Sequence, residues 1–134
     1  MIPKVLVAFA SISVILSLED EMRALMSREL IDRICGVLPG AVASDPSVEL
    51  DSWKVGGKMF ATFGTKIDGV SVKTDSVETA SMLIDAGAAK RAKYFHKSWV
   101  TVGFDAGEDE LRHRIQVSYD TIVAGLPKKV RDAL

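Results

Sequence analysis

Apolar residues recur with helical spacing in three parts of this chain, and residues that cap or stop helices flank each part. We predict helices over residues 28–37, 76–85 and 110–124. Ser27 is the expected N-cap of the first helix, and Asp75 or Ser76 that of the second. Three acidic residues, 108–110, precede or open the third helix, where they suit the positive end of the helix dipole.

Alternation with a period of two predicts the strands. In segment 54–63, Val55, Met59 and Ala61 share one face, whereas Lys54 and Lys58 share the other. The pair Gly56–Gly57 fills a strand poorly, and two interpretations stay open: the glycines bend the strand, or another group docks closely over them. The predicted strands are 48–51, 54–63, 70–73 and 99–104, with loops or turns at 41–47, 66–69 and 88–98.

The order helix, antiparallel meander, helix, strand, helix predicts an α+β fold with the helices packed on one face of an antiparallel sheet. The length allows one domain with one core. We expect large apolar residues of the strands and the last helix to be mostly buried in that core. These residues are Trp53, Phe60, Phe63, Trp99, Phe104, Leu111, Ile115 and Tyr119.

The N-terminal region differs from the rest, because residues 5–18 are an almost unbroken run of apolar residues and serines. The run is shorter than the roughly 20 residues that span a bilayer, and acidic residues 19–21 stand where a signal peptide has its cleavage site. Three interpretations stay open: a targeting segment, a segment packed on apolar surface, or residues upstream of a natural start at Met22 or Met26. We predict an extension over 1–25 and a domain over 26–134.

Charge and cysteine usage narrow the possible functions. The net charge of −1 argues against a strongly DNA-coating protein, yet from Lys54 onward thirteen Lys and Arg face ten Asp and Glu. The single cysteine, Cys35, excludes an intrachain disulfide and a cysteine-based metal cluster, and its apolar setting predicts a buried thiol. His96 and His113 lack metal-ligand spacing, so we expect neither a metal nor a cofactor.

A basic stretch is the best candidate for binding. It interleaves cations with aromatic rings, the composition that suits phosphates and bases. Two interpretations stay open, since the rings either face a ligand or anchor the loop on the sheet between solvated lysines. The motifs of phosphate loops, dinucleotide-binding folds, serine hydrolases and zinc proteases are absent from the sequence, so we expect no enzyme. The stretch comprises Lys90, Arg91, Lys93, Tyr94, His96, Lys97 and Trp99.

Three segments, in their order and spacing, resemble the MmcQ/YjbR family of small bacterial proteins. They read WKVGGKMFATFG over 53–64, AKYFHKSWVTVGF over 92–104 and SYDTIVAGLPKKVR over 118–131, and the resemblance covers nearly everything after Met26. It implies a CyaY-like α+β domain with no agreed catalytic activity and a double-wing sheet surface that would meet DNA. The positions that it implies for DNA contact are Lys54, Gly57, Lys58, Lys73, the stretch 90–99, Lys128 and Lys129.

Two functions are expected from these patterns. The first is a small cytoplasmic DNA-binding or regulatory module that binds duplex DNA weakly and with little sequence preference. The second is a protein-interaction or small-ligand-binding domain without nucleic-acid activity. A continuous positive surface on the wings favours the first, whereas a groove lined by apolar side chains favours the second. A membrane partner is expected only if the N-terminal segment is a signal or an anchor.

Overall fold

The computed structural model describes residues 4–64 and 68–134, and side chains from residue 12 onward. The described part contains helices α1 (Lys4–Gly36), α2 (Val77–Asp85), α3 (Glu108–Ala124) and α4 (Lys128–Asp132), and a 3-10 turn at Phe104–Ala106. The strands are β1 (Val42–Ala43), β2 (Ser52–Val55), β3 (Lys58–Thr62), β4 (Gly69–Lys73), β5 (Lys90–Arg91) and β6 (Trp99–Gly103).

The strands form one antiparallel sheet in the order β1-β2-β3-β4-β6-β5. Valines of β4 and β6 face one another in register, as Val70 does with Val102, and belong to the same buried cluster as Leu111 and Ile115 of α3. On the opposite face the hydroxyl groups of Ser71 and Thr101 are hydrogen-bonded at 2.8 Å. Helices on one face of an antiparallel sheet confirm the predicted α+β class.

The predicted core is confirmed for most of its members. Trp53 and Phe104 are half-buried and pack against the buried cluster. The ring of Phe60 meets that of Tyr119 edge to face, with centroids 5.4 Å apart, a favoured arrangement of aromatic quadrupoles. Each large side chain removed from water in this way stabilises the fold by about 1.5–3 kcal/mol. The fully or almost fully buried members are Phe60, Phe63, Trp99, Leu111, Ile115 and Tyr119.

Helix α1 corrects the prediction of a helix that starts after Ser27, because the observed helix begins at Lys4 and Ser27 lies inside it. The residues before Ser27 include neither proline nor glycine after position 3, and the helix therefore continues through them. Among the described side chains in this N-terminal part, Ile15, Leu18, Met22 and Leu25 are each more than half exposed. Among the described residues, no helix is long and apolar enough to cross a membrane.

A charged cluster fastens the second half of α1 to the sheet. The Arg28 guanidinium donates to both carboxylate oxygens of Asp51, at 2.7 and 2.8 Å, and to Asp32 at 3.2 Å. It also lies 3.6 Å from the centre of the Phe63 ring, at cation–π distance. Trp53 completes the cluster by donating its indole N–H to Asp32 at 2.8 Å. The hydrogen bonds that Asp51 accepts from Arg28 lower the pKa of Asp51. They also hold the start of β2 against α1.

Two predicted strands are wrong in detail. Residues 48–51 are not a strand, because Asp45 accepts hydrogen bonds from the Ser47 backbone and hydroxyl and holds residues 46–48 in a turn that leaves Val48 82% exposed. Segment 54–63 is not one strand but a hairpin, β2–β3, that turns at Gly56–Gly57. Both glycines have positive φ angles, 57° and 79°, as a two-residue hairpin turn requires.

The short strands β1 and β5 lie inside segments predicted as loops, and α4 was not predicted. Of the turn expected at 66–69, residues 66 and 67 lie outside the described residues, and Gly69 begins β4. Helix α2 is confirmed, since the Ser76 hydroxyl accepts the Thr79 amide at 3.0 Å and Gly87, with φ 74°, follows its C-terminus. Helix α3 is confirmed over 110–124 and begins two residues earlier than predicted.

Removal of residues 1–21 is expected to leave a folded protein. The described side chains of this segment are exposed, so their loss should change the free energy of unfolding by about 0.5 kcal/mol or less, as for surface changes. Urea denaturation of the truncated and full-length proteins measures the difference. A loss of several kcal/mol would mean that the segment belongs to the core.

Candidate nucleic-acid interface at the basic end of the sheet

The sheet splits into two halves between β3 and β4. These strands pair only at Ala61 with Val72 and at Thr62 with Ser71. Beyond those pairs, the side chain of Ser118 on α3 replaces the hydrogen bonds between the strands. Its hydroxyl donates to the Phe60 carbonyl at 2.6 Å and accepts a hydrogen bond from the Lys73 amide at 2.9 Å. We call β1–β2–β3 the first wing and β4–β6–β5 the second wing. The wings diverge from the point where Ser118 bridges them.

Three segments that are distant in sequence meet at the diverging end of the wings. The β2–β3 turn lies there, and so does the start of β6, where Trp99 pairs with Lys73. The side chains of Leu126 and Val130, which flank or belong to α4, reach the turn, because a Cβ atom on Gly56 would lie 2.6 Å and 3.1 Å from them. We call this region, made of the β2–β3 turn, residues 92–98 and α4, the basic end.

Most of the predicted site residues are exposed at the basic end. Gly57 and its neighbour Lys58 are open at the hairpin turn. Lys90 and Arg91 are also exposed, but they lie on the edge strand β5, opposite Thr101 and Val100. The exposed cations and polar rings that the fold gathers at the basic end are Lys58, Lys93, Tyr94, His96, Lys97, Lys128 and Lys129.

Four predicted site residues have partners within the fold, and His96, described below, is one of them. Lys54 forms an ion pair with Glu49. Lys73 donates its ammonium to the Ser98 hydroxyl at 2.8 Å. Trp99 is only 8% exposed and stacks on Phe95, with ring centroids 5.0 Å apart and an angle of 28°. Trp99 therefore fits the interpretation in which the aromatic rings anchor the loop on the sheet. A ligand can reach Trp99 only from the groove beside it.

Tyr94 fits the other interpretation. Its side chain is 102% exposed, and its φ angle of 71° is the positive value that residues other than glycine rarely adopt. A large ring held in solvent on a strained backbone contributes nothing to the core. Such strain often accompanies binding sites, and a displayed ring is suited to stacking.

A hydrogen-bond chain fixes the loop that carries Tyr94. Lys73 donates to the Ser98 hydroxyl, which lies 2.9 Å from Nδ1 of His96, and the Ser98 amide also donates to this nitrogen at 3.2 Å. Serine, histidine and lysine side chains occur together in some hydrolases. Here Ser98 is almost fully buried, so the chain positions residues 93–97 instead of presenting a nucleophile.

A groove opens between the wings next to the basic end. Its volume is about 510 Å³, within the range of small-molecule sites. Sequence reasoning missed most of its lining, because Glu49, Leu50, Met59, Phe95 and Ile122 come from segments that no single motif joins. The residues that line the groove, called the interwing groove below, are Glu49, Leu50, Lys54, Gly57, Lys58, Met59, Phe95, Trp99 and Ile122.

Charge is separated along the molecule despite its near-neutral total. Asp68 and Asp105 lie at the opposite end of the second wing, where Gly69 pairs with Gly103. Glu108 and Asp109 open α3 near that end. At the basic end, α4 contributes one acid, Asp132, beside three cations, so lysines and arginines outnumber acids there although the net charge is near zero.

In the described part of the chain, neither the cysteine nor the acidic and histidine side chains form a reactive or metal-binding site. Burial raises the pKa of the Cys35 thiol to about 12, so the predicted buried thiol is confirmed and stays protonated at neutral pH. No group of three or more His, Cys, Asp or Glu among the described residues could hold a metal ion.

Comparisons with known proteins agree with the fold. The family model YjbR matches residues 37–121. A solved structure, protein DR2400 of Deinococcus radiodurans with a DUF419 domain, is 24% identical, with a TM-score of 0.63, and the match covers 75% of this chain and 82% of that one. No curated protein matches the chain.

The hairpin turn offers a test of how the basic end is held together. Alanine at either glycine strains the left-handed backbone by about 1–2 kcal/mol. Gly56→Ala should cost about 1–3 kcal/mol more than Gly57→Ala, because its methyl group meets Leu126 whereas Gly57 faces open space. Urea denaturation of both variants measures the difference. Equal losses would mean that Leu126 does not pack over the turn.

Proposed function

We propose that this chain, which belongs to the YjbR family, is a non-catalytic, cytoplasmic DNA-binding or regulatory module that uses its basic end. One observation carries the proposal: the fold brings exposed lysines from three distant segments to the end of the sheet that displays Tyr94. A module of this kind binds the phosphate backbone of duplex DNA weakly and with little sequence preference.

The lysines supply the affinity in this proposal. Lys58, Lys93 and Lys97 reach solvent from both wings, and each phosphate that they neutralise releases condensed counterions. Lys128 and Lys129 extend the same surface from α4, which packs over the hairpin turn through Leu126 and Val130. Contacts of this kind fix orientation on the duplex but carry no sequence information.

Tyr94 supplies the one aromatic contact. Tyr94 is exposed and stands between Lys93 and Lys97 in the sequence, so its ring would stack on an exposed base or enter a groove while the lysines hold the backbone. Lys54 and Lys73 play a supporting part in this proposal, since their ammonium groups already have partners in Glu49 and Ser98. Lys90 and Arg91 would extend the contact along the edge of the second wing.

Neutralising two lysines at the basic end tests this proposal. The Lys93→Gln, Lys97→Gln double variant should bind random duplex DNA more weakly at every sequence. The slope of log affinity against log salt should fall by roughly 1–2, because about one counterion is released per phosphate contact. Fluorescence anisotropy with a labelled random duplex at several salt concentrations measures both quantities.

The matched control removes the same charge from the other end of the molecule. Arg23→Gln, Arg112→Gln changes two exposed arginines, one beside Asp20 and one beside Glu108, and should leave affinity and salt slope nearly unchanged. Equal losses in the two variants would show that only net charge matters. If folded wild-type protein does not bind duplex DNA at low salt, the proposal is wrong.

A further inference from the structure

We propose that the interwing groove binds a small amphipathic anion: an apolar ring that carries one anionic group. This goes beyond DNA binding, because the ligand occupies the space between the wings, and of the exposed lysines assigned to DNA only Lys58 borders that space. The groove's volume of about 510 Å³ is that of a site for one small molecule.

The floor of the groove is suited to a flat apolar group. Phe95 and Trp99 are stacked and form one aromatic wall. Met59, whose thioether contacts aromatic rings favourably, and Ile122 complete an apolar lining. An apolar ring placed there gains the burial energy of its own surface and that of the lining.

The rim of the groove selects an anion. Lys54 is neutralised by its ion pair with Glu49. Lys58 is exposed, and within the described residues its ammonium has neither a hydrogen bond nor an ion pair. One uncompensated positive charge beside an apolar floor is complementary to a ligand with a single negative charge.

The depth of the groove follows from the bridge between the wings. Ile122 lies one helical turn beyond Ser118 on α3, so both side chains point the same way. Ser118 occupies the split, and Ile122 forms the floor just above it. A larger side chain at position 122 would therefore fill the space that we assign to the ligand.

The same bridge disfavours a peptide strand as the occupant. A strand added to β3 or β4 at the split would need the Phe60 carbonyl or the Lys73 amide, and Ser118 is bonded to both. Strand addition depends on free main-chain groups at a sheet edge. A small molecule needs none of these groups.

A pair of fluorescent probes tests the inference. The anionic probe 8-anilinonaphthalene-1-sulfonate and the neutral N-phenyl-1-naphthylamine share an apolar ring system and differ in charge. Both should bind wild-type protein at one site. Ile122→Phe should weaken both by at least about tenfold, because the added ring takes up apolar contact area. Lys58→Ala should weaken only the anionic probe, by roughly twofold to fivefold, the range of an exposed ion pair.

Three controls make every outcome decisive. Arg112→Ala, at the acidic end of the molecule, should change neither affinity. Near-ultraviolet circular dichroism shows whether each variant is folded. If Ile122→Phe does not fold, methyl NMR of wild-type protein with the anionic probe replaces it, and shifts should be confined to Met59, Ile122 and their neighbours.

Probe binding that Ile122→Phe leaves unchanged, or NMR shifts away from the groove, would overturn the inference. So would equal effects of Lys58→Ala on the two probes. The DNA proposal is tested separately, since Ile122→Phe should retain duplex binding. Loss of DNA binding in the lysine variants with intact probe binding would leave the groove assignment standing.

Discussion

The arrangement of the sheet depends on the two hydrogen bonds that the Ser118 hydroxyl group forms. Where β3 and β4 stop pairing, a carbonyl at Phe60 and an amide at Lys73 lose their ladder partners in the interior. Unpaired backbone groups in such a place cost about 1–3 kcal/mol each, and strands usually avoid that cost by continuing to pair. Here one side chain accepts from one group and donates to the other. The sheet can therefore split without leaving buried groups unsatisfied.

The split determines what the surface can bind. Diverging wings place the β2–β3 turn and the loop at residues 92–98 on opposite sides of a groove, with α3 behind it. Tyr119, next to Ser118, anchors the same helix through its edge-to-face contact with Phe60 and its hydrogen bond to the Pro39 carbonyl. The segment 118–131 thus first holds the two wings and then supplies the lysines of α4. The structural and binding roles of this segment are adjacent in sequence because α3 ends at the groove.

Local signals in the sequence sufficed for much of the fold. Ser76 and Gly87 mark the two ends of α2, because both act on the backbone of their immediate neighbours. Alternating valines predicted the positions of β4 and β6. The helix start predicted at Ser27 was wrong, because a good capping residue does not start a helix when helix-forming residues precede it. The pair Gly56–Gly57 carried a hairpin signal, since both central residues of such a turn need positive φ, but the longer alternation around it favoured one strand.

The candidate site was predicted only in part. Lysines and aromatic residues stand out by type, so the basic stretch could be found, but burial of Trp99 and exposure of Tyr94 depend on tertiary packing. The groove was not predictable, because Leu50, Met59 and Ile122 are ordinary apolar residues until α3 brings them together. Ser118 carries no local signal for its role, because its hydrogen bonds join positions 45 and 58 residues away.

The most direct test of this account is the free energy of unfolding of Ser118→Ala, measured by urea denaturation beside Thr121→Ala. Both changes remove one hydroxyl from α3, and Thr121→Ala also removes a methyl group, but the Thr121 hydroxyl donates only to the Val117 carbonyl of its own helix. Ser118→Ala should lose about 2–6 kcal/mol more than Thr121→Ala, because it leaves two backbone groups unpaired at about 1–3 kcal/mol each. Equal losses in the two variants would contradict the claim that Ser118 holds the split sheet together.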